Sequence, residues 1–515
     1  MKRMLPLAVA LLMGAVTTNA VAQSVTPSQR VKDAVAAMGG ADALRNLKTL
    51  SIKASVKHWE PEQSFVPGGP PRPLGISTLT IAWDLGQGIA RTDHEHRMDY
   101  PFPGNEKYSD IVAPGWGAVI NDKGGDRPMA PNRLAFELRE QERASPALLL
   151  KALDQPPSVS SMPDQKLGGK SYPAIALVDG KTTFTVLFDR QSKLPVAIRT
   201  AEDDVIHGDG MFDLLLADWK SVGSAKIATS LAWKFNGLAK LDIAYDQITP
   251  NAPIAPQAFA VSDATKKAAM PPASGDVPWQ AILVSVNFGR YDDAAQARAA
   301  AEGLKMKLTE LAPNVQHAQG VSHNSLIVAM KDYLVVFDAP QNEAQSRWTI
   351  DAAKAKYPGK PIKYLVMTHH HMDHMGGARA YIAEGATMIM GTPNKAHAVA
   401  ELSAPRTMHP DALQKNPKPV KVIEVKDKMV LKDGEEIQIY RIENPHVEGM
   451  LTMYVAGPKL VWVTDIYSPG RDQAKTPANS GFHEAIKKLG LSPALYAGGH
   501  GASGSEADFV AMLSK

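Results

Sequence analysis

The sequence predicts an α/β protein with two domains, in which a mainly antiparallel β-sheet domain precedes a mixed α/β domain. In the first half, apolar and polar residues alternate with the period of two that is typical of strands, as at 77–83 and 182–188. In the second half, short apolar runs alternate with helical patterns, as along 325–356, and the apolar spacing predicts a further helix over 291–311. Between the halves, residues 269–278 are rich in proline and typical of a linker.

These changes of pattern divide the chain into four predicted segments. They are a signal peptide (1–22), a β-rich N-terminal domain (23–265), a linker (266–278) and an α/β catalytic domain (279–515). The first segment has Lys2 and Arg3 before an apolar stretch, then small residues that are typical of a cleavage site. We therefore expect an exported protein, periplasmic or secreted, with no further membrane-spanning segment.

Composition narrows the class of partner. The 515 residues carry a formal net charge of +3, which is too small to favour nucleic acid. The chain has no cysteine, so an exported form has no disulfides and its metal chemistry depends on histidines and carboxylates. We expect a small-molecule substrate, and the sequence is compatible with a homo-oligomer.

The strongest chemical signal is the stretch 365–377. An apolar run is followed within six residues by four histidines and Asp373, and then by Gly376 and Gly377. Imidazole and carboxylate are the ligands of Zn²⁺ when no thiolate is present. We expect a metal site at the end of a strand, with a sharp backbone turn where the glycines stand. Farther along, His446, Asp465 and His500 follow strands or lie among glycines, where polar side chains reach one rim.

With these residues the second half resembles the metallo-β-lactamase-fold hydrolases, which share an HxHxDH stretch followed by a distant His, an Asp and a final His. The resemblance covers about 278–515 and implies an αββα sandwich with two metals at one edge. The ligands that it implies are His369, His371 and His446 for one ion, Asp373, His374 and His500 for the second, and Asp465 as the bridge.

Two Zn²⁺ ions in such a site lower the pKa of a shared water and polarise an electrophilic carbonyl or phosphoryl oxygen. The leading hypothesis is a dinuclear zinc hydrolase in which a metal-bridging hydroxide cleaves an ester, lactone or amide. Asp373 is also expected to orient the nucleophile. Tyr467 follows Asp465 by two residues and is a candidate for polarising the substrate, the alternative being a tyrosine of the core. Iron and manganese are the other metals considered.

Alternatives stay open within and beyond this class. β-Lactamase and phosphoesterase activities belong to the same fold, although the missing cysteine argues against the β-lactamases that use a thiolate ligand. A mononuclear iron oxidoreductase is a further alternative, because the ligand set resembles that of persulfide dioxygenases. A non-enzymatic carrier is disfavoured, since seven ligands exceed what one closed structural ion needs.

Other histidines are weaker candidates. We expect His370 to point away from the site, because it alternates with ligands. For His323 we favour a turn, for His409 substrate contact and a solvated loop are equally open, and for His94 and His96 we favour a surface pair over a metal site.

The N-terminal domain is similar in pattern to the half-barrel folds of periplasmic lipoprotein carriers. We expect it to pack beside the metal face and to shape the pocket through the proline-rich loop 60–74. The alternative is a dimerisation or stabilising module.

Overall fold

The computed structural model describes residues 25–100, 103–129, 131–268, 306–320 and 323–515. The predicted signal peptide lies outside the described residues, and so does the predicted linker from residue 269 onward. Both stay predictions.

The N-terminal domain is built on one antiparallel sheet of 13 strands. Its strands are β1 (Thr49–Glu60), β2 (Arg72–Asp84), β3 (Ile89–Met98), β4 (Gly104–Ala113), β5 (Trp116–Asn121), β6 (Asp126–Pro128), β7 (Val159–Leu167), β8 (Lys170–Asp179), β9 (Thr182–Phe188), β10 (Pro195–Asp204), β11 (Gly208–Val222), β12 (Ala225–Phe235) and β13 (Leu238–Pro250). Two meanders, β1 to β6 and β7 to β13, join where β1 pairs with β13. The predicted antiparallel architecture is confirmed.

Helices α1 (Pro27–Ala37), α2 (Ala41–Arg45), α3 (Pro131–Ala144), α4 (Leu148–Asp154) and α5 (Asp263–Lys267) accompany this sheet. The hydroxyl of Thr26 caps α1 by accepting from the amide of Gln29, and Pro27 occupies the first turn, where its missing amide costs nothing. Buried residues of α1, α2 and α4 pack on apolar side chains of the sheet, including Ile52 and Phe184.

The C-terminal domain has two sheets packed face to face. The first contains β14 (Lys307–Ala312), β15 (Val315–Gln319), β16 (Asn324–Ala329), β17 (Leu334–Phe337), β18 (Ile362–Val366), β19 (Thr387–Gly391) and β20 (Val422–Val425). The second contains β21 (Lys428–Asp433), β22 (Glu435–Ile442), β23 (Met450–Val455), β24 (Leu460–Val463), β25 (Leu495–Gly498) and β26 (Ser503–Ser505). Leu326 and Val335 from the first sheet and Ile439 and Met453 from the second share one buried cluster.

Helices cover the outer faces of this sandwich. They are α6 (Glu343–Lys356), α7 (Met372–Met375), α8 (Ala378–Glu384), α9 (Lys395–Ser403), α10 (Ala412–Lys415), α11 (Pro477–Lys488) and α12 (Glu506–Leu513). Ile350 and Tyr381 pack on the first sheet, and Phe482 and Phe509 on the second. The expected αββα sandwich is therefore confirmed. Within the described residues, none of the helices has the length and apolar character that crossing a lipid bilayer requires.

One predicted helix is corrected. The spacing of apolar residues over 291–311 predicted a helix, but 307–312 form β14, which pairs with β15 in an antiparallel register. Residues 291–305 lie outside the described part of the chain. The leucines at 308 and 311 have helical spacing, yet the pairing with β15 decides the conformation.

The two domains share a hydrophobic cluster. Phe212 and Trp233 of the large sheet belong to the same buried cluster as Ile350 and Leu402 of the C-terminal domain. Near it, the buried guanidinium of Arg406 donates to the carbonyl oxygens of Val205 and Ile206 at 2.9 and 2.7 Å. The N-terminal domain is thus held against the sandwich through both apolar and polar contacts.

Candidate metal centre

The HxHxDH stretch leaves the first sheet at the end of β18. The amide of Thr368 donates to Oδ1 of Asp338 at 2.7 Å, which turns the chain out of the sheet directly after the strand. His369 and His371 follow in this segment, and α7 then presents Asp373 and His374. All four predicted ligands are buried.

Gly376 and Gly377 serve close packing instead of the sharp turn that was expected. Their φ angles are −57° and −97°, which any residue can adopt. A Cβ added to Gly376 would lie 2.1 Å from the carbonyl oxygen of Gln341, and one on Gly377 would lie 2.0 Å from Oγ of Ser346. Glycine is needed here because the segment after α7 packs directly against α6 and against the loop that precedes α6.

A first group of potential ligands joins His369, His371 and His446, whose ligand atoms lie within 4.8 Å of one another. His446 comes from the loop between β22 and β23. The side chain of Asn444 fixes that loop by accepting from the amides of His446 and Val447, at 2.8 and 3.0 Å. The three residues are those expected for one ion.

A second group joins Asp373, His374 and His500 and adds His323. Nε2 of His323 lies 3.0 Å from Oδ2 of Asp373, and the rings of His323 and His500 have centroids 4.2 Å apart. The prediction that His323 serves only a turn is therefore wrong, because the end of β15 and the start of β16 lie beside the metal centre.

Asp465 lies between the two groups. Its Oδ2 is 3.0 Å from Nε2 of His374 and its Oδ1 is 2.9 Å from Nε2 of His500. Oδ2 is also 3.5 Å from Nε2 of His369 and 3.8 Å from Nε2 of His446. One carboxylate thus approaches histidines of both groups, as the bridging assignment expects.

The loop that carries His500 is fixed by Asn324. The side-chain amide of Asn324 donates to the carbonyl oxygens of Gly498 and Gly501 at 2.9 and 2.8 Å. Gly501 has a φ of +80°, and a Cβ there would lie 2.4 Å from the carbonyl oxygen of Pro469. The glycines around His500 are therefore required by conformation and by space.

The donors fit a metal ion. Nε2 of His369 and Nε2 of His446 are buried and, within the described part of the chain, make no hydrogen bond. Burial lowers the pKa of both imidazoles, and that of His371. Neutral imidazoles with free lone pairs are the form that binds metal. The pKa values of Asp373 and Asp465 are lowered although burial opposes this, because histidines including His374 surround them.

A loop of the N-terminal domain reaches this centre. After β1 comes a short 3-10 helix, Pro61–Gln63, and the side-chain amide of Gln63 donates to Oδ1 of Asp373 at 2.7 Å. The carbonyl oxygen of Ser64 accepts from Nε2 of His371 at 3.0 Å and from Nε2 of His370 at 3.1 Å. The 60–74 loop therefore lies at the metal face, where it was expected.

Tyr100 and Arg72 complete this contact. The hydroxyl of Tyr100 donates to Oε1 of Gln63 at 2.7 Å, and the guanidinium of Arg72 lies 4.4 Å from the centroid of the Tyr100 ring. Nη2 of Arg72 donates to the carbonyl oxygen of His446 at 2.8 Å. Arg72 of β2 and Tyr100, just after β3, thus support the loop that carries His446.

Tyr467 is not brought into the metal centre. It is buried, and its ring stacks on Phe509 with centroids 4.1 Å apart, within the core between the second sheet and α12. Burial raises the pKa of its hydroxyl. This placement is the core alternative that was considered for Tyr467.

The remaining histidine candidates lie elsewhere. His409 is at the domain interface, with Nδ1 2.9 Å from Oδ2 of Asp203. His96 is buried on the inner face of the large sheet, where Oγ of Ser77 lies within hydrogen-bonding distance of both Nδ1 of His96 and Nε2 of His58. The surface assignment of the pair with His94 is therefore wrong for His96, and neither histidine belongs to a potential metal group among the described residues.

Several residues at the site were not predicted individually, among them Gln63, Tyr100 and Asp338. Asp338 had a usable signal, because it ends a strand that runs parallel to β18, and the carboxyl ends of parallel strands share one edge. Gln63 and Tyr100 had no such signal in the sequence, since their roles depend on how the N-terminal domain packs against the C-terminal domain.

Comparison with known proteins gives a family match for part of the C-terminal domain. Residues 318–455 match the family model of the metallo-beta-lactamase superfamily. The match includes the HxHxDH stretch and His446, while Asp465 and His500 lie beyond it. No curated protein sequence matched the chain.

Three solved structures are similar to less than half of the chain. The sec-alkylsulfatase Pisa1 from Pseudomonas sp. has 19% identity and a TM-score of 0.32, over 43% of this chain and 42% of its own. A metallo-beta-lactamase from Pontibacter korlensis has 16% identity and a TM-score of 0.31, over 41% and 98%. One from Hirschia baltica has 17% identity and a TM-score of 0.32, over 41% and 97%. The chain spans less than half the length of the sulfatase.

Proposed function

We propose that this protein is an exported hydrolase that uses two zinc ions to cleave an ester, lactone or amide bond. The observation that carries the proposal is the position of Asp465, whose carboxylate lies within 4 Å of histidines from both ligand groups. A single closed structural ion needs about four ligands. Two adjoining groups that share one carboxylate favour a pair of ions over one.

The residues divide between the two positions. His369, His371 and His446 would hold the first ion, while Asp373, His374 and His500 would hold the second, with Asp465 between them. Zinc bound in this way lowers the pKa of water to about 7 and polarises a carbonyl or phosphoryl oxygen. No serine or cysteine nucleophile is then required.

The protein side chains contribute charge and orientation. Asp373 and Asp465 stay ionised because their pKa values are lowered, so they offset the charge of the ions at neutral pH. Asp373 would also orient the attacking water, a role supported by Gln63 and His323, which fix its carboxylate. Ser64 and the neighbouring loop cover the side of His370 and His371, which limits the access of bulk water from that side.

The test combines metal analysis with a panel of substrates. Purified protein should contain two zinc ions per chain and hydrolyse at least one activated ester, lactone or amide, with a β-lactam, a phosphoester and a sulfate ester included for comparison. Asp465→Ala should lower the metal content and reduce kcat/KM by more than about 100-fold, which exceeds the usual effect of residues outside the ligand set.

A matched control is Asp433→Ala, which removes an aspartate at the far end of β21. It should leave metal content and activity unchanged. Two bound ions with no hydrolysis of any ester, lactone or amide would contradict the proposed reaction. One iron per chain with oxygen uptake would instead support the oxidoreductase alternative.

The proposed export depends on residues 1–22. Expression of the full chain in a Gram-negative host should place the protein in the periplasm, with its N-terminus near Gln23. A cytoplasmic protein that retains Met1 would contradict this part of the proposal.

A further inference from the structure

We propose that Gln63 is a positioning residue that holds Asp373 as a ligand of the second ion, so that the N-terminal domain sets the affinity of that position. The inference rests on the proposed two-ion site and deepens it. It assigns to the N-terminal domain a defined part of the metal centre, beyond a general role in shaping a pocket.

Asp373 is held at both of its oxygens, by one residue from each domain. The amide of Gln63 donates to Oδ1 at 2.7 Å, and Nε2 of His323 lies 3.0 Å from Oδ2. Gln63 is 3% exposed and Asp373 is 7% exposed, so water does not replace these contacts easily. A carboxylate oxygen accepts more than one bond, and each oxygen therefore keeps a lone pair for an ion.

The orientation of the Gln63 amide is fixed by Tyr100. Because the hydroxyl of Tyr100 donates to Oε1 of Gln63, the amide nitrogen points toward Asp373. A flipped amide would place its oxygen against the carboxylate, which repels it, and would lose the bond to Asp373. Arg72 lies over the Tyr100 ring, so the hydroxyl is itself held in place.

The backbone around Gln63 separates its effect on the second ion from effects on the first ion. A shift in the register of β1 against β2 occurs between His58 and Trp59, near the end of β1, and the 3-10 helix Pro61–Gln63 follows that end. The next residue, Ser64, accepts from Nε2 of His371, which leaves Nδ1 of that ring as the atom with a lone pair for the first ion. A Gln63 substitution keeps this backbone contact. Its effect should therefore fall on the second ion.

The experiment measures the affinities of the two ions separately. Full-length wild type, Gln63→Ala and Tyr100→Phe are loaded with Zn²⁺ or Co²⁺ and titrated with a chelator, and Co²⁺ absorption follows each position. In Gln63→Ala the second ion should bind about 10–100-fold more weakly, while the first is unchanged. Tyr100→Phe should shift the same ion by a smaller factor. Gln87→Ala removes an exposed glutamine whose side chain donates to Asp84, and it should change neither ion.

Two results with Gln63→Ala would overturn the inference. One is an unchanged affinity for the second ion in Gln63→Ala, and the other is an equal loss for both ions together with a lower Tm of the metal-free protein, which indicates a merely structural role. A wild type that binds a single ion would also overturn it. Failure of the proposed function has a different signature, because wild type would then bind two ions and hydrolyse nothing while Gln63→Ala still lost the second ion.

Discussion

Oδ2 of Asp338 lies 3.5 Å from Nδ1 of His374, and both side chains are fully buried. The same oxygen accepts from the indole nitrogen of Trp462 at 3.1 Å, and Oδ1 accepts from the amide of Thr368. A carboxylate behind a ligand histidine orients the ring and raises its basicity. Asp338 thus links the end of β17 to the ligand stretch and to the second sheet.

Replacing Asp338 by asparagine should weaken this link. An amide keeps one acceptor oxygen, so either Thr368 or Trp462 faces a donor, which costs about 1–3 kcal/mol. We expect a lower Tm of the metal-free protein and weaker binding of the ion at His374, measured by thermal unfolding and chelator titration. The control Asp433→Asn changes an aspartate that accepts from Asp332 far from the metal centre. Unchanged Tm and unchanged affinity in Asp338→Asn would contradict this role.

Arg72 should be sensitive even to replacement by lysine. Its guanidinium donates to the carbonyl oxygen of His446 and lies over Tyr100, and lysine has neither the planar group nor the fixed donor geometry. We expect Arg72→Lys and Arg72→Ala to lower kcat/KM by similar factors, about tenfold or more, because the His446 loop loosens in both. Arg97→Lys, at an exposed pair with Asp99, is the control. If Arg72→Lys behaved as wild type, the positive charge at position 72 would be sufficient, and the planar donor geometry of arginine would not be required.

The sequence identified residues that the structure brings together at the candidate metal centre, because these residue types occur in a short, ordered stretch and at strand ends. His323 could not be assigned in this way. Its place beside Asp373 depends on long-range contacts, including the amide of Asn324 donating to the carbonyl oxygen of Gly499. Nothing in the local sequence distinguishes Gln63 from other loop glutamines, because its contact with Asp373 forms only when the two domains pack together. The sequence pattern therefore predicted that the loop reaches the site, but not which of its residues does so.

The strands of the N-terminal sheet show a second limit. β10 ends in Glu202, Asp203 and Asp204, and all three carboxylates are buried. Analysis of hydrophobic periodicity assumes that buried positions are apolar, so it does not recognise the buried positions of strands with polar inner faces. Arg139 and Arg143 lie close to Glu202, and such ion pairs are visible only once α3 packs on the sheet.

The domain interface should respond to pH through Asp203. Burial raises the pKa of Asp203 to about 6, while His409 opposes this shift. An acid whose folded pKa is raised binds more protons when folded, so stability is lost as pH rises from about 4 to 6. Asp203→Asn should remove that loss, gaining about 1–3 kcal/mol relative to wild type at pH 7 but not at pH 4.

The measurement is the difference in Tm between Asp203→Asn and wild type at each pH from 4 to 7. His409→Ala is the informative companion, because without the imidazole the pKa of Asp203 should rise further and the loss with pH should steepen. A constant difference in Tm across this range would show that Asp203 does not titrate there.

Tyr467 offers a direct test of core against catalytic placement. Its ring stacks on Phe509 and contacts Tyr496 edge-on, so its packing supports the second sheet and α12. Tyr467→Phe keeps the ring and removes only the hydroxyl, and we expect kcat/KM to stay within about twofold of wild type, since the hydroxyl contributes no more than a weak polar contact. Tyr467→Ala should lower the free energy of unfolding by about 3–5 kcal/mol because a large buried ring is lost.

The pair of variants separates the two roles, since packing follows the ring and catalysis follows the hydroxyl. Steady-state kinetics of Tyr467→Phe and denaturant unfolding of both variants are the measurements. A large fall in kcat for Tyr467→Phe, with an unchanged free energy of unfolding, would show that the Tyr467 hydroxyl acts on the substrate. It would also require the segment after Asp465 to move, because the ring now lies between Phe509 and Tyr496 in the core beside α12.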